Sequence, residues 1–167
     1  MPMLQKKICL LGAFSVGKTS LVQRFVESMF SDKYLTTVGV KVDKKVLSVE
    51  GKDIKLMIWD LEGEDDYCKI NSSYLRGAAG YILVADGMRP QTLVTALAIH
   101  ESSQALLGQI PAIVAMNKAD LRDSWLVSEA DLQAAEAILP VLYTSAKSGD
   151  NVEALFGNLA QSMLEAK

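Results

Sequence analysis

The sequence predicts an α/β protein: a mainly parallel sheet with helices on both faces. Short apolar runs alternate with amphipathic stretches from one end of the chain to the other. Alternation of that kind belongs to crossover units, in which each helix covers the strands it connects. The first apolar run ends in a glycine-containing turn that opens a helical pattern, and no repeat, linker or low-complexity stretch divides the 167 residues. That length suits one domain over residues 1–167.

Six runs read as strands. Lys7 to Leu11 is apolar and stops at Gly12. From Thr19 to Met29, Leu21, Val22, Phe25, Val26 and Met29 recur at helical spacing. Val38–Val49 and Ile54–Trp59 flank the turn residues of Glu50–Asp53 and read as a hairpin. Lysines on the first of the pair suit an antiparallel edge strand, which must not invite further pairing. Tyr81–Ala85, Ala112–Met116 and Val141–Thr144 read as buried strands, with helices over Leu93–Leu107 and Ser128–Leu139 between them. Asn151 is the expected N-cap of a last helix, with Glu153 in its first turn and an apolar stripe of Val152, Leu155, Phe156, Leu159 and Met163.

Composition excludes several classes. Half the residues are hydrophobic and 22% are charged, so the chain has a core to bury. No apolar run is long enough to span a bilayer, and the first residues lack the apolar stretch of a secretory signal. Two cysteines cannot form a disulfide framework, which points to a reducing, cytoplasmic setting. A formal charge of −3 argues against a nucleic-acid surface.

In a parallel sheet ligands gather at the carboxyl ends of the strands, so the loops there matter most. Gly12-Ala13-Phe14-Ser15-Val16-Gly17-Lys18-Thr19 fits G-x-x-x-x-G-K-[ST] between a strand and a helix. Glycines let such a loop curl until successive N–H groups face phosphate oxygens, and the helix start adds its positive end. Phe14, Ser15, Val16, Gly17, Lys18, Thr19 and Ser20 are the expected phosphate contacts, with Lys18 on the outer phosphates and Thr19 on Mg²⁺. Asn117-Lys118-Ala119-Asp120 follows another strand. A carboxylate at Asp120 can accept from the ring N–H and the exocyclic amine of guanine, a pair adenine lacks, and a buried site would penalise the wrong base. Thr144-Ser145-Ala146-Lys147 follows the last strand, where the Ala146 N–H can donate to the guanine carbonyl and the Lys147 stem can cover the ring. Each tetrapeptide alone is a weak signal; the three in order, each after a strand, are not.

On these motifs, and on Phe30–Gly39, Trp59–Gly63 and Ser72–Ala78, the chain resembles the Ras-superfamily small GTPases, with its Rab-like members nearest. The resemblance implies the P-loop NTPase (small G-protein) fold, with a six-stranded, mostly parallel sheet and one antiparallel edge strand. It implies a switch that binds GTP and GDP with Mg²⁺, hydrolyses GTP slowly, and acts in signal transduction and vesicle trafficking. Phe30 is then the aromatic on the guanine, and Thr37 the first-switch ligand of Mg²⁺ and the terminal phosphate. Asp60 holds the metal with Thr19 and Thr37, while the Gly63 N–H meets the terminal phosphate. Lys18, Thr37, Gly63 and Glu64 form the implied catalytic group. Protein effectors and regulators would meet Tyr34–Val42 and Glu62–Arg76 of a monomer.

The sequence departs from the family pattern in four ways. Glu64 replaces the water-orienting glutamine, and Phe14 a small phosphate-loop residue. Leu61-Glu62 replaces Thr-Ala, and Val42 a phenylalanine of an aromatic patch that keeps Trp59 and Tyr74. They predict slow hydrolysis that is insensitive to an inserted arginine. A hydrolysis-deficient, GTP-bound scaffold and an ATP-dependent kinase or ATPase are the rival readings.

Other residues take plainer readings. Cys9 is core, His100 is a structural or solvated histidine at an exposed or half-buried position, Cys68 is an inert contact, and Trp125 with Leu126 is partly buried packing. Asp60, Glu62, Glu64, Asp65 and Asp66 read as a solvated acidic face. No cysteine follows Cys68, Leu164–Lys167 is not a prenylation box, and Pro2 stands where myristoylation needs glycine. The expectation is a chain without a membrane anchor, whether trimmed or naturally tailless.

Overall fold

The computed structural model describes residues 3–13, 15–26, 34–35, 40–61 and 72–166. The chain runs β1 (Leu4–Gly12), α1 (Lys18–Val26), β2 (Tyr34–Leu35), β3 (Val40–Val49), β4 (Lys52–Leu61), β5 (Ala78–Asp86), α2 (Pro90–Leu107), β6 (Ala112–Asn117), α3 (Glu129–Glu136), β7 (Val141–Tyr143) and α4 (Val152–Glu165). Two short 3-10 turns, Ser72–Leu75 and Ala119–Ser124, complete it. The sheet order is β2-β3-β4-β1-β5-β6-β7. β4, β1, β5, β6 and β7 run parallel, and β3 lies antiparallel to β4. All six expected strands are present. The two residues of β2 add a seventh outside β3, pairing Tyr34 with Val42 and Leu35 with Lys41. Two residues carry no periodicity, so no pattern in the sequence announces them.

Alternation along β1 sorts the core into two layers. Ile8 and Leu10 face α1 and α4, where Phe25 and Phe156 stack at 3.9 Å. Cys9 and Leu11 face α2 and α3 through Leu93, Ala96, Leu132 and Ala135. Cys9 is fully buried, and burial pushes its thiol up to about 12, as suits inert core. β3 and β4 join at Glu50-Gly51, both at positive φ (52° and 76°), the pattern of a two-residue hairpin turn. On β3, Lys44 is exposed, but Lys45 folds inward. Its ammonium donates to the Phe25 carbonyl and sits 4.4 Å from that ring, so this lysine braces α1 instead of only guarding an edge.

Some boundaries move. α2 starts at Pro90, earlier than Leu93, because proline suits a first helical turn whose N–H needs no partner. α3 is capped by the Ser128 hydroxyl, which accepts from the Asp131 N–H, and ends at Glu136 instead of Leu139. Asn151 precedes α4 but does not cap it with its side chain. It takes the left-handed conformation (φ 59°) that asparagine tolerates, and its amide donates back to the Tyr143 carbonyl at 2.8 Å.

Candidate functional site

The carboxyl ends of β1, β4, β5, β6 and β7 converge on one edge of the sheet, and the three motif loops meet there. Gly17 shows why the sequence needs glycine. Its φ is 102°, and a Cβ would lie 2.2 Å from the Asn117 amide nitrogen. The close approach joins the first loop to the second. Asn117 is buried and reaches three ways: its Nδ2 donates to the Val16 carbonyl at 3.0 Å, and its Oδ1 accepts from the Ala146 N–H at 3.3 Å and the Thr144 hydroxyl at 3.4 Å. One side chain at the end of β6 thus ties all three loops.

Lys18 is 5% exposed, and its ammonium arches back to donate to the carbonyls of Ala13 (3.1 Å) and Gly12 (3.3 Å). Thr19 in the first turn of α1 donates to Asp60 Oδ2 at 2.6 Å. Asp60, next to last in β4, lies beside Leu10 and is 1% exposed, so it does not belong to a solvated acidic face. The parallel register of β1 and β4 carries it inward. Ser15 sits at φ 60° on the rim, and Val16 is fully buried beneath it.

Across the cleft, the Ser145 hydroxyl donates to Asp120 Oδ1 at 2.8 Å. The Ala119 N–H donates to the Thr144 carbonyl, and the Ser148 N–H to the Ser145 hydroxyl. A cleft of about 480 Å³ opens between these walls, lined by Gly17, Ser20, Gln23, Arg24, Asn117, Lys118, Asp120, Leu121, Ala146 and Lys147. Asp120 and Lys147 are exposed on it, so these two described residues do not supply the burial expected around the base. Thr19 and Asp60 offer one hydroxyl and one carboxylate, both hard oxygens. Among the described residues no group of three or more His, Cys, Asp or Glu could cage a metal. That donor set fits Mg²⁺, which keeps waters and takes further oxygens from phosphate.

One residue at the site and the role of another escaped the sequence reading. Asp86, last in β5, is 1% exposed and accepts from Lys118 Nζ at 2.9 Å, from Arg89 Nε at 3.2 Å and from the Met88 N–H. Burial pushes its carboxyl up, but these donors outweigh burial and hold it below the usual carboxylate range. Its place at the carboxyl end of a strand was the available signal. Trp125 is half-buried as expected, and its indole N–H donates to the Lys118 carbonyl at 2.8 Å. Leu126, expected to pack with it, is 70% exposed. Phe14, Phe30, Thr37, Gly63, Glu64, Glu62, Asp65, Asp66 and Cys68 lie outside the described residues.

Known proteins share this arrangement in sequence. A profile of the Ras family matches residues 7–165. The GTP-binding protein YPTM1 of Zea mays is 34% identical over 164 residues, covering 96% of this chain and 79% of that protein. The Ras-related protein SEC4 of Saccharomyces cerevisiae is 32% identical over 166 residues, 95% of this chain and 75% of its own. The Ras-related protein RABA2d of Arabidopsis thaliana is 39% identical over 153 residues, 90% and 70% respectively. Nothing among these matches favours a permanently loaded scaffold. With phosphate-loop, aspartate and serine-alanine-lysine segments on one cleft, and relatives matched over most of their own length, the chain belongs to the Ras family, as a Rab-like small GTPase.

Proposed function

We propose that the cleft holds a guanine nucleotide along its length, base at Asp120 and phosphates at Lys18. The observation that carries this reading is Asn117, which binds all three loops into one wall while leaving the Asp120 carboxylate on the cleft. Asp120 accepts from the two adjacent donors of guanine, the Ala146 N–H keeps its 3.3 Å bond to Asn117 and shares its proton with the guanine carbonyl, and Lys147 covers the ring. Lys18 and the N–H groups of Ser15 to Ser20 meet the phosphates, the ammonium trading loop carbonyls for phosphate oxygens. Thr19 and Asp60 hold Mg²⁺, which when bound neutralises phosphate charge. The resemblance adds Phe30 and Phe14 at the nucleotide, Thr37 on the metal, Gly63 at the terminal phosphate and Glu64 beside the attacking water.

As a single-domain, monomeric switch in the cytoplasm, the protein would meet effectors and regulators through Tyr34–Val42 and Glu62–Arg76 and serve vesicle trafficking and signalling. Trp59, between those segments, lies 6.4 Å from Tyr74 of the second, and the Lys7 ammonium sits 3.8 Å from the Trp59 ring. That lysine and Val42 make this patch more cationic and smaller than an all-aromatic one. Among the described residues no helix is long and apolar enough to cross a membrane. The test is to extract the nucleotide from purified protein and follow its conversion. Guanine nucleotide, slow formation of GDP and no competition by ATP are expected; bound adenine nucleotide would overturn the reading.

A further inference from the structure

The segment behind the base loop is built with more care than packing alone requires. Lys118 is a non-glycine residue in the left-handed region (φ 71°, ψ 37°), a conformation that persists only where its surroundings impose it. It is gripped at both ends. Its ammonium pairs with buried Asp86, and its carbonyl accepts the Trp125 indole N–H at 2.8 Å. The indole lies flat on the corner after β5: a Cβ at Gly87 would come within 2.1 Å of the ring. The corner closes on itself, since the Gly87 N–H donates to the Asn117 carbonyl and the Gly87 carbonyl accepts from the N–H groups of Leu126 and Val127. On its other side Trp125 lies 6.0 Å from Tyr143, the residue just before the third motif loop, and the Arg122 guanidinium sits against both rings. One indole therefore touches the backbone of the base loop, the corner that supports it and the root of the loop facing it.

We propose that Trp125 is a positioning residue for guanine recognition, holding Lys118 left-handed so that Asp120, two residues on, presents its carboxylate to the base. The inference rests on the assignment of Asn117–Asp120 as the base loop. It makes a demand that simple packing does not. A nucleotide that uses both Asp120 oxygens depends on Trp125 more than one that uses a single oxygen. GDP offers the ring N–H and the exocyclic amine; inosine diphosphate lacks the amine.

The experiment measures release of GDP and of inosine diphosphate from the full chain, for the wild type, Trp125→Phe, Leu126→Ala and Asp120→Asn. Trp125→Phe keeps a ring on Gly87 and removes the N–H. It should speed GDP release about tenfold, the scale of one lost hydrogen bond, and speed inosine diphosphate release much less. Leu126→Ala, one residue along on an exposed side chain, should change neither. Equal acceleration of both nucleotides, or none, in Trp125→Phe overturns the positioning role. Asp120→Asn separates the two levels. If it leaves GDP and inosine diphosphate discriminated as in the wild type, the base-loop assignment itself falls. If it abolishes discrimination while Trp125→Phe leaves it at the wild-type level, only the role of Trp125 falls. Should Trp125→Phe not fold, the emission of Trp125 in a Trp59→Phe chain supplies the answer, because these are the two tryptophans present. A shift on removing GDP supports the coupling, and an unchanged spectrum overturns it.

Discussion

The two ends of the cleft are held differently. At the base end, polar groups of β6, β7 and the loops after them are bonded to one another and to the first loop: Asn117 to Val16 and Ala146, Ser145 to Asp120, Trp125 to Lys118. At the phosphate end, the Lys18 ammonium is bonded to carbonyls of its own loop, and Thr19 to Asp60. The base end is therefore assembled by the fold, with little left for the ligand to rearrange. Under the proposed assignment, the phosphate end exchanges partners when phosphate and metal arrive, since the same lysine and hydroxyl cannot serve both. Preorganised contacts yield affinity and selectivity because their ordering cost is met on folding. Contacts that change partners are where a protein can respond to the presence of one phosphate, provided the two arrangements differ in what the ligand touches. The asymmetry matches a switch that holds its base throughout and answers to its phosphates.

The largest effect should come from cutting the tie itself. Asn117→Ala leaves the Val16 carbonyl and the Ala146 N–H without their side-chain partner. Two orphaned groups at about 2 kcal/mol each come to about 4 kcal/mol, or near a thousandfold in GDP affinity. Isothermal titration with GDP measures it. A loss under tenfold would mean the loops keep their places unaided and would remove the contrast between the two ends. Next in size is Asp120→Asn, which removes a charged acceptor from two donors. About 2–3 kcal/mol is at stake, so GDP should bind some 30- to 100-fold more weakly. The new amide can donate to the extra carbonyl of xanthine, so xanthosine diphosphate should gain what GDP loses; competition binding shows both at once.

The phosphate end should answer to the metal. Removing Mg²⁺ with a chelator takes away charge neutralisation and leaves Thr19 and Asp60 to each other. GDP release should accelerate by about tenfold or more. Asp60→Ala should abolish the dependence on the chelator while leaving the preference for guanine over xanthine as it was. If Asp60→Ala also altered base preference, the two ends would be one coupled unit. Release rates followed with a fluorescent GDP analogue distinguish these outcomes.

Much of this is legible in the sequence, and the remainder divides by physical cause. Periodicity marks the strands and helices because each must bury one face, and the Gly12–Thr19 loop is legible because few residue types can wrap a phosphate. What periodicity cannot report is which loop residue bonds to which. Asn117 reads as one member of a tetrapeptide, and only the parallel pairing of β5, β6 and β7 brings it between Val16 and Ala146. Trp125 looks like a core aromatic, and its donor atom finds a carbonyl only because Lys118 turns left-handed, a conformation lysine does not advertise. Asn151 is the reverse case: a good capping residue diverted by the Tyr143 carbonyl. Asp60 sits in an acidic run that reads as surface, yet strand register carries it inside.

The smallest effect concerns acid, and it should spare the cleft altogether. On the α2 side, Tyr81 is fully buried, with its hydroxyl 2.7 Å from His100 Nδ1 and 2.7 Å from Gln104 Nε2. Gln104 Nε2 can only donate, so the hydroxyl accepts there and its own proton goes to His100 Nδ1, which puts the proton of the neutral ring on Nε2. Burial favours that neutral ring and lowers its pKa below the ordinary 6.5. Protonation would make Nδ1 a donor facing an oxygen that already accepts, and the hydroxyl proton would be left with the His100 carbonyl at 3.4 Å. The sign follows: stability present above pH 6.5 is lost as pH falls through and below that value. Asp86, held below the usual carboxylate range, stays ionised over the same interval and keeps its grip on Lys118. Between pH 7.5 and 5.5 the melting temperature should therefore fall by a few degrees, about the worth of one hydrogen bond, while GDP affinity stays level. His100→Gln should flatten the melting profile without touching the affinity profile. A fall in affinity that tracks the fall in stability would show that acid reaches the base end through β5, and the fold-built wall of the cleft would be less independent than its hydrogen bonds imply.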